Sequence, residues 1–216
     1  MNRAGGVRRT LRLGFLSPFL DDLVAPVIRE FQQRHANSKV SLFDLPPRAQ
    51  LDRLRQHELD LGILANLEDR ERAMFDVRKL SKCEFIAVLP EAHRLAHRKA
   101  VKLKELETDD WVSLSNAFFP KRREFLIETC ETAGFVPRIV AEMDSLPMML
   151  AEIGTGGGVG LMPAHASKLP HRGCALIPLS SPKIHSELLL VRTKHADPSP
   201  EMETLIALLA ERAAKI

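Results

Sequence analysis

The sequence is poor in cysteine, in long apolar runs and in excess charge of either sign. Its three cysteines, Cys83, Cys130 and Cys174, are odd in number and far apart. They form neither a disulfide framework nor a metal-binding motif, and this usage indicates a reducing cytoplasm. No run approaches the ~18 apolar residues of a membrane-spanning helix, and no apolar signal segment follows the basic N-terminus. We therefore expect a cytoplasmic protein without membrane contacts.

The net charge of the chain is small. Its 31 lysines and arginines against 28 aspartates and glutamates give +3, and they are scattered, which argues against nucleic-acid binding by this chain itself. The basic run at residues 121–123 is interpreted as solvated surface at a helix start. The eight histidines include no i, i+4 pair around a carboxylate, so no metal site is predicted. No Gly-x-Ser-x-Gly elbow is present, and we expect no catalytic residues.

The glycine-rich run at residues 154–160 is the segment that most suggests a phosphate loop. No Lys-Ser/Thr pair follows it, and it leads into a strand, whereas a phosphate loop leaves a strand and opens a helix. We interpret these glycines as ending a helix sharply and letting the backbone pass close to a neighbour. The sequence therefore predicts no cofactor.

Strands and helices alternate along the chain. Residues 11–16 form a predicted strand, a polar turn follows at Ser17, and the apolar spacing from Leu20 to Phe31 predicts an amphipathic helix. Further strands are predicted at 40–44, 59–64, 75–80, 84–90, 111–114, 138–142, 159–162, 174–179 and 187–192, and further helices at 48–57, from about 120, at 146–153 and at 199–213. This alternation is typical of an α/β protein with mainly parallel sheets.

The strand–turn–helix pattern starts afresh at Trp111, which indicates two similar lobes. The predicted fold is two Rossmann-like lobes with central mixed, mainly parallel sheets, joined by two crossover strands. Lobe I comprises residues 11–89 and 187–216, and lobe II comprises residues 90–186.

Five segments in a fixed order carry a resemblance. They lie at residues 11–15 with the first helix, 58–64, 93–96, 141–145 and 154–163. Together they resemble the effector-binding half of a LysR-type transcriptional regulator, over about residues 11–212. The resemblance implies the type II periplasmic-binding-protein fold and a small, often anionic, organic effector between the lobes. It also implies a homodimer, in which the helix near residues 23–31 lies antiparallel against the helix near 125–131 of its partner.

Full-length members of this family begin with a winged helix-turn-helix and a linker helix. This sequence contains neither, and residues 1–10 resemble a remnant of the linker. The chain is then either a piece of a longer protein or a free-standing domain. In both cases DNA would be contacted only through a winged helix-turn-helix domain that is missing here.

In open α/β sheets the binding crevice is lined by strand ends and helix starts. This rule nominates as effector-binding residues Ser17, Pro18, Phe19, Pro47, Arg48 and Asn66 of lobe I, with Pro46 beside them, and Ser115, Asn116, Ser145 and Met162 of lobe II, with Pro163. Ser17 and Ser115 hold matching positions, where backbone N–H groups can bind a carboxylate or simply cap a turn. Arg48 is either a bidentate carboxylate ligand or a solvated helix residue, and Ser145 is either a ligand contact or a helix cap.

The leading hypothesis is a ligand-sensing regulatory domain that passes effector binding through a dimer to a DNA-binding domain. One alternative is a solute-binding protein for a transporter, which shares the fold. The other, with less support from the residues, is a two-lobed enzyme.

Overall fold

The computed structural model describes residues 9–65, 67–194 and 198–215. The strands are β1 (Arg9–Phe15), β2 (Ser38–Asp44), β3 (Leu61–Ala65), β4 (Phe75–Pro90), β5 (Val101–Lys102), β6 (Asp110–Leu114), β7 (Arg138–Met143), β8 (Gly160–Pro163), β9 (Cys174–Ser181) and β10 (His185–Thr193). The α-helices are α1 (Ala25–Arg34), α2 (Pro47–Arg55), α3 (Asp69–Met74), α4 (Arg122–Thr132), α5 (Leu146–Gly154) and α6 (Pro200–Ala213). The class is mixed α/β, as predicted.

The chain divides into two compact units, and each is described by itself. Unit 1 comprises Met1–Ser81 with Glu187–Ile216, and unit 2 comprises Lys82–Ser186. Two strands, β4 and β10, contain residues of both units. Residues 82–89, assigned by the sequence to the first lobe, belong to unit 2.

The strand β4 is continuous, whereas the sequence predicts two strands at 75–80 and 84–90. Lys82 and Glu84 are exposed and Cys83 between them is half-buried, so the polar residues lie on one face of an unbroken strand. Because side chains alternate between the faces of a strand, polar residues on the open face do not interrupt it.

Unit 1 is built on the strand order β2-β1-β3-β10-β4. The first three strands are parallel, and β10 is antiparallel to β3. Arg9 and Thr10, which the sequence assigns to a linker remnant, already pair with β2. The rest of that predicted remnant, residues 1–8, lies outside the described residues.

Both faces of the unit 1 sheet are covered, as the nearly continuous apolar sequence of β3 predicts. Leu61 and Ile63 contribute to a core formed with α1 and α6. Leu64 contributes to a second core, on which α2 places Leu51 and Leu54. The sheet therefore lies between two helical layers.

The first helix is less regular than its apolar spacing predicts. Ser17–Phe19 form a 3₁₀ turn, Leu20–Val24 form a π turn, and only Ala25–Arg34 are α-helical. Pro26 explains the interruption, because it has no N–H to donate to the carbonyl of Asp22 and its ring crowds that carbonyl. Arg212 of α6 donates its Nε–H to this carbonyl at 2.7 Å.

Unit 2 contains two groups of strands. The second half of β4 pairs antiparallel with β8 and with β9, and β9 pairs parallel with the short β5. β6 pairs parallel with β7. The helices α4 and α5 pack against β6, and this order places the turn after β6 at the start of α4.

The glycine-rich run of unit 2 has the structural role predicted for it. Helix α5 ends at Gly154, and Gly158 has a φ of +141°. A Cβ on Gly158 would lie 2.6 Å from the carbonyl oxygen of Asp110, so only glycine allows this close approach. Among the described residues, no helix combines the length and apolarity needed to cross a bilayer.

Candidate functional site

The turn after β1 presents Ser17 beside the end of the neighbouring strand β2. Phe15 and Asp44 are paired in register, so the two strands end together. The Ser17 hydroxyl donates to Asp44 Oδ2 at 2.5 Å, and the Ser17 backbone N–H donates to Asp44 Oδ1 at 3.1 Å. The anion that the sequence predicts at this N–H is thus supplied by the chain itself. This turn exposes acceptor oxygens, which suit a hydroxyl or ammonium donor better than a second carboxylate.

The apolar residues predicted around Ser17 form the frame of the two turns. Phe19 is 2% exposed and belongs to the α1–α6 core, so its ring offers a ligand almost no surface. Pro47 is buried at the first turn of α2, while Pro18 and Pro46 are half-buried. The expectation that Phe19 provides apolar contact area is therefore not supported by its position.

Arg48 is the second residue of α2 and is exposed. Within residues 9–65, 67–194 and 198–215 its side chain has no hydrogen-bond or ion-pair partner. It is consequently available to an anion that approaches unit 1. Asn66, also nominated by the sequence, lies outside the described residues.

Ser115 has the corresponding position in unit 2, directly after β6. Its backbone N–H donates to the carbonyl of Met143 at 2.8 Å, and its Oγ accepts from the N–H of Ala117 at 3.2 Å. In the described part of the chain its hydroxyl proton has no acceptor. Ser115 can therefore donate one hydrogen bond to a ligand without breaking an internal one.

Asn116 is committed to the start of α4. Its Nδ2 donates to both carboxylate oxygens of Glu124, at 3.1 and 2.8 Å, and its Oδ1 accepts from the N–H of Arg123 at 3.0 Å. The hydrogen bond from Asn116 lowers the pKa of Glu124. Asn116 thus binds the start of α4 through both the NH₂ group and the oxygen of its amide.

Two further predicted residues of unit 2 have structural positions. Ser145 caps α5, with its Oγ accepting from the N–H of Met148 at 3.3 Å. Met162 is fully buried in the core between α5 and the strands, since β8 is covered on both faces, and Pro163 is also buried. Neither Met162 nor Pro163 presents a side chain to solvent.

The structure also reveals a residue that the sequence reasoning missed. Arg122 was interpreted as solvated, yet burial lowers the pKa of its guanidinium to about 10. Its Nη2 donates to the carbonyl of Leu161 at 2.7 Å, and its Cζ lies 4.8 Å from the ring centroid of Phe85 and 5.0 Å from that of Phe125. The helical spacing from Arg122 to the buried Leu126 was the signal that could have placed it on the inner face.

The cysteines of unit 2 have distinct environments. Burial raises the pKa of Cys130 to about 12, and that of Cys174 is also raised, mainly by burial. Cys83 is half-buried, with Sγ 2.9 Å from Nδ1 of His165. Across the described ranges, no group of three or more His, Cys, Asp and Glu side chains is arranged to hold a metal ion.

The chain matches the family of the LysR substrate binding domain over residues 4–214. The HTH-type transcriptional regulator AlsR of Bacillus subtilis (strain 168) is 25% identical over 166 residues, which cover 77% of this chain and 54% of AlsR. The chain therefore spans about half the length of this relative.

Two solved effector-binding domains have the same fold. The effector binding domain of QuiR in complex with shikimate has a TM-score of 0.85 at 19% identity, over 96% of this chain and 98% of that one. The BenM effector binding domain with its effector benzoate has a TM-score of 0.80 at 19% identity, over 97% of this chain and 94% of that one. The family match, which covers nearly all of the described residues, shows that this chain belongs to the LysR substrate binding domain family.

Proposed function

We propose that this chain is the ligand-sensing domain of a LysR-type transcriptional regulator and that its effector is a small organic acid. The observation that carries the proposal is the family match over residues 4–214. The ligands named for QuiR and BenM, shikimate and benzoate, are both small carboxylic acids. The curated relatives are transcriptional regulators, which supports a non-catalytic role.

The proposed effector contacts are strand-end turns, and the turns of each unit offer different groups. In unit 2 the acidic group of the effector accepts from the Ser115 hydroxyl, which has a proton to donate. In unit 1 the exposed Arg48 is the available cation. The Ser17–Asp44 pair instead favours a hydroxyl or ammonium group of the effector, because Asp44 already supplies the negative charge there. We therefore expect a hydroxylated or aminated acid to bind more tightly than its unsubstituted counterpart.

Titration calorimetry with shikimate, benzoate and related small carboxylates tests this site. We expect Ser115→Ala to weaken binding of both acids and Ser17→Ala to weaken binding of hydroxylated acids such as shikimate, in each case about 5- to 10-fold, which corresponds to the loss of one hydrogen bond. Ser199→Ala is the matched control, since Ser199 caps α6 through the N–H of Met202 and has only a structural role. Unchanged affinity in both site variants would remove these serines from the effector site.

This chain covers 54% of AlsR. The proposal for signal transmission therefore concerns a protein of the length of AlsR. We propose a cytoplasmic homodimer formed by the helices near residues 23–31 and 125–131, with DNA bound through a winged helix-turn-helix domain outside this sequence. An effector can act in this way only if it binds one arrangement of the protein better than another. In-frame coding sequence for a winged helix upstream of this segment is the observation that tests this part of the proposal.

A further inference from the structure

We propose that Arg122 is an anion-binding residue of unit 2 and that it takes the carboxylate of a small organic acid on the free edge of its guanidinium group. The inference rests on the proposed function for the class of ligand and adds a residue that the sequence reasoning did not nominate. Every residue that supports it lies within unit 2.

The first argument concerns charge. Arg122 is the arginine whose pKa burial lowers, to about 10, and no carboxylate pairs with it in the described part of the chain. Its neighbour Arg123, by contrast, forms an ion pair with Glu142 at 2.8 Å. A desolvated cation without a counter-ion is costly, and a bound anion would relieve that cost.

The second argument concerns hydrogen-bond donors. A guanidinium has five N–H groups, and within the described residues Arg122 uses one nitrogen, Nη2, to donate to the carbonyl of Leu161. Arg122 is half-buried. Each of its nitrogens either has a hydrogen-bond partner or keeps some exposed surface. The unused N–H groups are therefore not completely sealed inside the protein.

The third argument concerns preorganisation. The rings of Phe85 and Phe125 pack over the guanidinium, and the Leu161 carbonyl fixes its orientation. An arginine held in this way loses little side-chain entropy on binding, and its planar edge matches the two oxygens of a carboxylate. Arg122 is also the first residue of α4, an 11-residue helix, whose N-terminal dipole favours negative charge.

Side-chain NMR of the uniformly ¹⁵N-labelled chain can observe the proposed contact directly. The Nε–H signal of Arg122, assigned by its disappearance in Arg122→Lys, should shift saturably with shikimate or benzoate. The Nε–H signal of Arg123 should stay in place. Inorganic phosphate is the third probe, because it shares the oxyanion chemistry without an organic body.

Calorimetry of Arg122→Met gives the energetic counterpart. Methionine keeps apolar packing against the two rings, and we expect at least tenfold weaker binding of the carboxylate. Arg123→Met is the matched control, with unchanged affinity expected. If Arg122→Met does not fold, the Nε–H titration of the unmodified chain decides the question.

The outcomes separate the two proposals. A shift of the Arg122 signal with phosphate but with no carboxylate would support an oxyanion site here and would count against an organic-acid effector. Carboxylate binding that depends on Ser17 and Ser115 but leaves the Arg122 signal and the Arg122→Met affinity unchanged would overturn this inference while the proposed function stood. A silent Arg122 signal with all three anions would also overturn it.

Discussion

At the scale of single residues, the basic run at positions 121–123 shows why composition alone misjudges environment. Arg123 has a side chain that is 47% exposed and paired with Glu142, as expected for solvated surface. Arg122, one position earlier, packs against a pair of phenylalanine rings that contact each other. On a helix, adjacent residues are about 100° apart, so identical side chains can occupy opposite environments.

A buried histidine in unit 2 predicts a pH effect on stability. Burial lowers the pKa of His165 to about 4, below the usual 6.5 of the unfolded chain. Above pH ~6.5 the imidazole is neutral in both the folded and the unfolded chain. As the pH falls from about 6.5 towards 4, the unfolded chain binds the proton first, so the free energy of unfolding decreases. We expect a loss on the order of 2–3 kcal/mol in the free energy of unfolding.

Urea unfolding at pH 7 and at pH 4 measures this contribution. His165→Gln, which stays neutral, should lose correspondingly less stability between the two pH values than the unmodified chain. His97→Gln, at an exposed position of the same unit, should behave as the unmodified chain does. Equal pH dependence of His165→Gln and the unmodified chain would contradict the assigned role of burial.

At the scale of elements, hydrophobic spacing predicted where helices and strands lie better than it predicted their internal geometry. The apolar run of β3 correctly indicated a strand covered on both faces. The spacing after Leu20 correctly identified the inner face of the first helix, yet its first turns are 3₁₀ and π rather than α. Spacing reports which side chains face the core, whereas a single missing N–H at Pro26 decides the hydrogen-bond ladder.

The hydrogen bond from Arg212 to the carbonyl of Asp22 predicts a coupling between α6 and the start of α1. Arg212→Met should reduce the free energy of unfolding by about 1–2 kcal/mol, because the carbonyl loses a charged donor. In a Pro26→Ala background this cost should be smaller, since the restored N–H of residue 26 can donate to the same carbonyl.

Urea unfolding of the two single variants and the double variant gives the coupling energy. Lys215→Met is the control, because Lys215 forms an exposed ion pair with Glu211 one turn away and such pairs contribute little. Strict additivity of Pro26→Ala and Arg212→Met would show that Arg212 does not replace the missing helical donor.

At the scale of the whole molecule, the proposed dimer depends on surfaces that the folded units leave open. The apolar residues of the first helix, among them Val27 and Phe31, are buried in unit 1. The interface must therefore use the outward residues of that helix and its flanks, including Leu20, which is 37% exposed.

Sedimentation equilibrium can test this interface. We expect the chain to be dimeric and Leu20→Glu to raise the dimer dissociation constant at least tenfold, which corresponds to about 1.4 kcal/mol, because it places a charge in the contact. Met74→Glu is the matched control, at an apolar position of unit 1 that is 46% exposed and lies on α3. A monomeric chain would contradict the proposed dimer, and equal effects of the two substitutions would exclude Leu20 from the interface.

The candidate site was predictable as a set of locations and only partly as a set of side chains. Strand ends and helix starts follow from the alternation of elements, so the sequence nominated Ser17 and Ser115, and both lie in turns that follow strands. The sequence did not show the hydrogen bonds of Asp44 and Asn116. Folding brings Asp44 to Ser17 and Asn116 to Glu124. Met162 was misjudged, since its burial depends on the helix that covers β8.

The sequence by itself determined the α/β class, most of the strands and helices, and the family. Periodicity and turn residues are local properties of a chain, and they persist in the folded protein. Only the tertiary structure decided that Asp44 accepts from the N–H of Ser17 and that Arg122 packs against Phe85 and Phe125. Hydrogen bonding and desolvation depend on distances between residues far apart in sequence, and those distances exist only once the chain has folded.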